Sequence, residues 1–255
     1  MLGVLAFRSV VFSRVPKHLD SLKHYLLLLK QHAPLLLPGD PLPPSRTAFM
    51  LTFDFASIDF YTSIFPFLQL HQIPAVVGVA WRYVPPTTAM DLPLSYRLTP
   101  SGTLAFQDEV FSKHMPFCCQ EELLAMASSP LIQLASSGFA VRNLQRSPSY
   151  LATEVFLSKH YLHSMLGQPP KAFLYPFGKA DKNSKAYVEK HYDFSFVLGN
   201  TLNIKKTKTH GIFRFDLSPN QYSIPKLWNS PRYLKNWFLF QWGTSPFVKG
   251  KKPSL

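Results

Sequence analysis

Phe49-Met50-Leu51-Thr52-Phe53-Asp54-Phe55-Ala56 is an apolar run broken by a single carboxylate. It is rich in β formers, follows the Pro43-Pro44 breaker and precedes a helical pattern, so it reads as a buried parallel strand. Asp54 then stands at the carboxyl end of that strand. In α/β folds with parallel strands the connecting loops converge at that end, and sites are built there.

The rest of the chain repeats the rhythm. Upstream, Val4–Phe7 reads as a first strand, and His18–His32 carries Leu19, Leu22, Leu26 and Leu29 on one helical stripe. Downstream, Ser57–Leu70 reads as a helix, and Pro66 inside it predicts a kink or a late start. Ala75–Ala80 is a second buried strand, and Val84–Pro116 is a proline-rich stretch without period, expected to be a loop insertion. Then come a short helix at Gln120–Ser128, a strand at Leu131–Ala135, and a helix opened by Ser147 as N-cap with Pro148 and closed by Gly167. Ala172–Tyr175, Ser184–Lys190 and Phe194–Leu198 continue as strand, helix and strand, with Asp216 ending a further strand beside Arg214. Such alternation calls for a parallel sheet, open or closed into a barrel. A last helix is expected near Tyr233–Phe240, giving a single domain over residues 1–242 and a basic tail over 243–255.

With 255 residues, 46% hydrophobic and 15% aromatic, the chain can bury a sizeable core and is no disordered polymer. No apolar stretch is long enough, free of charge and proline, to span a membrane as a helix. Met1–Phe12 is interrupted by Arg8 and lacks the parts of an export signal, which leaves a weak signal as the alternative to a first strand. Cys118 and Cys119 are adjacent, a poor geometry for a disulfide and no metal spacing. A reducing compartment, and so a cytoplasmic location, is the expectation. The net charge of +13 is one-sided: residues 1–127 hold 9 basic and 9 acidic side chains, residues 128–255 hold 18 and 5. An anionic membrane or nucleic acid is a candidate partner for that half, although no nucleic-acid motif accompanies it.

Three strand ends, Asp54, Ser137 and Tyr175-Pro176, fall on one rim, and their local sequences resemble the polysaccharide deacetylase family, carbohydrate esterase family 4. Leu51-Thr52-Phe53-Asp54 is similar to the family's Thr-Phe-Asp-Asp-Gly motif, and Phe173-Leu174-Tyr175-Pro176-Phe177-Gly178 to its Phe-x-Tyr-Pro-x-Gly element. Leu131–Leu144 aligns without gaps on the segment bearing the family's His-x-x-x-His. The resemblance spans roughly residues 1 to 220 and implies a distorted (β/α) barrel of about seven parallel strands.

Members of that family deacetylate N-acetylated sugars, using a divalent metal such as zinc to polarise the amide and generate a nucleophilic water. The resemblance places the metal ligands at Phe55, Ser137 and Val141. Phe and Val cannot coordinate, and a lone hydroxyl is a poor zinc ligand, so no metal is expected. Asp54 matches the general base, and Tyr175 the residue whose backbone N–H supports the oxyanion. Ser137, Pro176 and His210 are candidates for the substrate groove, His210 as a replacement leaving-group acid.

Three functions are in play. The first is a degenerate deacetylase-like protein binding, or acting weakly on, N-acetylated or peptidoglycan-type glycan in cell-envelope carbohydrate metabolism. The second is an active amide or ester hydrolase with a site rebuilt from Asp54, Ser137 and a loop His. The third is a basic adaptor for anionic membrane or nucleic acid. Simpler readings stand beside them: Asp54 as a helix cap or the partner of an Arg, Phe55 and Val141 as apolar filler, and His160 and His163 as a solvated face. Asp59, His71 and His114 are further candidates for an alternative metal site.

Overall fold

The computed structural model describes residues 1–44, 46–203 and 209–217. The helix expected near Tyr233–Phe240 and the basic tail lie outside them. Seven strands alternate with helices in chain order. They are β1 (Leu2–Phe7), α1 (Pro16–His32), β2 (Ala48–Phe53), α2 (Phe65–Leu70), β3 (Ala75–Val79), α3 (Leu94–Arg97), α4 (Asp108–His114), α5 (Gln120–Ala127), β4 (Ile132–Ser136), α6 (Ser158–Leu166), β5 (Ala172–Leu174), α7 (Lys182–Glu189), β6 (Phe194–Leu198) and β7 (Ile212–Asp216). All pairings between neighbouring strands are parallel, and the sheet closes as β7 joins β1, with Leu5 opposite Phe215 and Ala6 opposite Asp216. Closure removes the edges that an open sheet would expose.

The two-residue period of the strands sorts side chains into two cores. Val4, Met50, Val76, Ala135, Leu174, Phe196 and Ile212 fill the barrel lumen. Their neighbours Leu5, Leu51, Phe53, Val77 and Leu134 face outward onto the helices, where Leu22, Leu26 and Leu29 of α1 meet them. On β2 the lumen face therefore runs Met50, Thr52, Asp54. On β7, Arg214 shares the face of Ile212.

Of three local expectations, one holds and two are revised. Pro66 does produce a late start: a π-helical turn over Phe60–Ile64 precedes α2, which holds Pro66 in its first turn, where its missing N–H costs nothing. Ser147 does not cap through its hydroxyl; Pro148–Tyr150 is a 3₁₀ turn, followed by a π-helical stretch over Ala152–Leu157 before α6 ends on Gly167 at φ +71. The Val84–Pro116 stretch is not a structureless loop. It contains four short helical pieces, and Arg97 is buried in it against Glu122 of α5, with Nη1–Oε1 at 2.7 Å and Nη2–Oε2 at 3.1 Å.

Candidate functional site

The rim at the carboxyl ends of the strands holds the chemistry-bearing residues. Asp54 leaves β2 with only 5% of its surface exposed. Its Oδ1 accepts a hydrogen bond from Nη1 of Arg214, and Nε of Arg8 lies 3.4 Å from Oδ2. Arg214 is fully buried, and its Nη1 also reaches the Thr52 hydroxyl at 3.3 Å; Nε and Nη2 have no hydrogen-bond partner among the described residues. Arg8 turns on to Asp216 at the end of β7, at 3.0 Å. Two carboxylates and two guanidinium groups thus alternate across the seam where β7 meets β1.

Ser137 sits directly beside Asp54. Its Oγ donates to the Asp54 carbonyl at 2.9 Å, and its N–H donates to the Val79 carbonyl. Gly78 of β3 makes this approach possible. A Cβ there would lie 2.1 Å from Ser137 Oγ and 2.5 Å from the Asp54 carbonyl oxygen. Ser137 therefore bonds through its N–H to β3 and through its hydroxyl to the end of β2, and its hydroxyl proton is committed to a backbone acceptor.

Phe55 and Val141 enter one apolar cluster with Val10, Ala80, Tyr83, Ala105, Phe106, Phe111 and Phe117. The Phe55 ring meets Phe106 at 4.8 Å and Phe117 at 6.5 Å, both edge-on, the geometry that the ring quadrupoles favour. Phe106 and Phe111 come from the excursion between β3 and α5, which therefore lies over this part of the rim. Val141 has φ +55, an uncommon conformation for a β-branched residue. Glu154 holds it there. This buried carboxylate accepts the N–H of Ala140 at 2.9 Å and of Arg142 at 3.3 Å, one on each side of Val141, and burial pushes its pKa up.

The remaining candidates disperse. The N–H of Tyr175 donates to the Phe196 carbonyl, and its phenol faces α7, 3.3 Å from the Ser184 carbonyl, with its pKa raised by burial. Pro176 is buried beside Gly138 on the rim. His210 precedes β7, where Thr209 and Gly211 bond to Ser195 near the start of β6, so it stands at the opposite end of the barrel from Asp54. Asp59 accepts the N–H groups of Phe12 and Ser13 and the Ser63 hydroxyl; His71 packs on Phe67 and His114 reaches the Tyr96 carbonyl. Those three go to three separate places. Among the described residues no group of three or more His, Cys, Asp or Glu converges to hold a metal.

The family's divalent metal does not fit the residues found at Phe55, Ser137 and Val141: two hydrocarbon side chains in an apolar cluster and one hydroxyl already donating to backbone supply no ligand set. Neither motif nor spacing marks Arg214, Arg8, Glu154 or the excursion's aromatic residues as site residues. The one legible signal was the alternation Phe213-Arg214-Phe215, which places Arg214 on the lumen face.

The barrel invites comparison with known proteins. A family model described as polysaccharide deacetylase matches residues 42–195, more than half of the chain. The chain belongs to the polysaccharide deacetylase family. No curated protein sequence matches it. Among solved structures, the Streptococcus pyogenes deacetylase PplD in complex with acetate superposes with a TM-score of 0.65 at 17% identity, covering 86% of this chain and 93% of that one. IcaB from Ammonifex degensii gives 0.65 at 17% identity, covering 87% and 93%. A de-N-acetylase from Aggregatibacter actinomycetemcomitans gives 0.61 at 15% identity, covering 92% and 98%. At such identities these likenesses speak for the deacetylase fold. No described helix is long and apolar enough to cross a membrane, and both cysteines are buried thiols, with burial raising Cys119 to about 11.

Proposed function

We propose that this polysaccharide deacetylase-fold protein binds N-acetylated glycan of the cell-envelope type at the rim of its barrel and does not carry out the family's metal-dependent deacetylation. The observation that carries the reading is the fate of the three positions matched to metal ligands. Phe55 and Val141 pack into an apolar cluster with Phe106 and Phe117, and Ser137 donates to the Asp54 carbonyl. Removing an acetyl group needs an electrophile on the carbonyl and a base within reach of the attacking water. Asp54 has the identity of the base, yet both its oxygens face guanidinium groups and it is nearly closed off from solvent. A serine-based hydrolase finds no better support, since none of the hydrogen bonds Ser137 makes goes to a histidine.

The experiment is acetate release from N-acetylchitotetraose with and without added zinc or cobalt, run beside calorimetric titration of the same oligosaccharide. Binding without release is the expected result. Metal-dependent turnover that disappears in Asp54→Asn would overturn the reading.

A further inference from the structure

The excursion between β3 and α5 is fastened at two points and loose between them. At its near end Arg97 is buried, and Arg14 donates to the Thr99 carbonyl at 2.7 Å and the Ser101 hydroxyl at 2.6 Å. At its far end the same Arg97 holds the carbonyls of Met115 at 2.9 Å and Phe117 at 2.7 Å, while both its remaining bonds go to Glu122. A buried, bidentate ion pair with its other donors satisfied is a firm anchor, because separating it strands charge in an apolar surrounding.

Between the anchors the picture reverses. Gly102 at φ +57 and Met115 at φ +47 bracket the segment, both in the left-handed region where the chain turns sharply. The α4 helix buries none of its residues, and Leu104 is 52% exposed. What holds the segment down is Ala105, the half-buried rings of Phe106 and Phe111, the Tyr83 hydroxyl on the Phe106 carbonyl at 3.3 Å, at its last residue His114 against the ring and carbonyl of Tyr96, and one surface ion pair. That pair, Arg82–Asp108 at 2.9 Å, has side chains 44% and 71% exposed, so water and salt screen it. Few buried contacts between two well-anchored ends mark a unit that opens well below the free energy of global unfolding.

Beside the segment lies a small apolar cleft lined by Phe55, Val79, Ala80, Tyr83, Val84 and Phe117, none of them from the segment itself. Three of its lining rings, Phe55, Tyr83 and Phe117, meet the Phe106 ring at 4.8, 5.0 and 4.9 Å. We propose that Gly102–His114 is a lid over the barrel rim, turning about Gly102 and Met115, with Phe106 as its plug and Arg82–Asp108 as its latch. As a device controlling access to a glycan site it rests on the function proposed above, while the lid motion itself stands on the packing.

Hydrogen exchange of the full chain, resolved by peptide, tests the lid directly, using wild type, Asp108→Ala and Phe106→Ala. Peptides over 102–114 are expected to exchange at least about tenfold faster than those over 120–127, with a further increase of about two- to fivefold in Asp108→Ala and a larger one in Phe106→Ala. The anchors at 97 and 115–122 should be unmoved by either substitution. Exchange of 102–114 in step with 120–127 in all three proteins would overturn the lid. Titration with N-acetylchitotetraose then separates the two proposals. Tighter binding by Phe106→Ala supports a lid over the glycan site. Binding by neither protein counts against the glycan reading alone, because exchange has already decided the lid.

Discussion

Asp54 and Arg214, 160 positions apart in the chain, form a hydrogen-bonded ion pair inside the barrel, reaching from the end of β2 past β1 to β7, the strand that closes the sheet. Both are almost fully shielded from water, so each charge depends on the other. Arg214→Met should destabilise the protein by about 3–5 kcal/mol, because it leaves Asp54 buried with only the more distant Arg8. Asp54→Leu combined with Arg214→Met should recover most of that loss, since a buried ion pair is often replaceable by apolar side chains of similar size. Urea unfolding of the two single variants and the double closes the cycle. Strictly additive losses would mean that the pair is not coupled.

Gly78 and Ser137 form a second dependent pair. Gly78→Ala places a methyl group against Ser137 Oγ, the Asp54 carbonyl and Leu174 Cδ1, and two of the three neighbours cannot easily yield. The expected cost is about 1–3 kcal/mol, as for overpacking elsewhere. Ser137→Ala should cost about 1 kcal/mol by deleting the bond to the Asp54 carbonyl. Thermal unfolding measures both. A neutral Gly78→Ala would show that β3 can move aside, and would weaken the case for a tightly closed rim.

Glu154 introduces a pH dependence. Burial raises its pKa in the folded protein, so between the ordinary carboxylate range near about 4.3 and that raised value the folded state holds a proton that the unfolded chain has released. Stability from this group therefore falls as pH rises through that window. Glu154→Gln removes the proton uptake, and unfolding midpoints from pH 4 to 7 should lose that component of slope. The variant should also be weaker throughout by about 1–2 kcal/mol, because Ala140 and Arg142 donate to different carboxylate oxygens and the amide puts a donor NH2 in place of one of them. An unchanged pH profile would remove Glu154 as the cause.

The barrel was legible because its rules are local. A strand buried on both faces must be apolar throughout, an amphipathic helix must repeat at three and four residues, and their alternation leaves few topologies. Phe49–Ala56, Ala75–Ala80 and Phe194–Leu198 come close to those rules, and strands form there over Ala48–Phe53, Ala75–Val79 and Phe194–Leu198. The excursion escaped the same reading because its stability is not periodic. It depends on one buried ion pair, Arg97–Glu122, between residues 25 apart, and on rings that become neighbours only when the rim is assembled.

What the chain determined by itself was the succession of strands and helices, the position of Asp54 at a strand end, and the residue types at the positions matched to the family's metal ligands. All of these follow from side-chain chemistry and short-range spacing. What only the tertiary structure decided was the company those residues keep: Arg214 and Arg8 on Asp54, the Asp54 carbonyl under Ser137, Phe106 and Phe117 around Phe55, and His210 at the far end of the barrel. The physical reason is barrel closure. It brings β1 and β7 side by side from opposite ends of the described chain, and the ion pairs across that seam carry no periodicity from which sequence could read them.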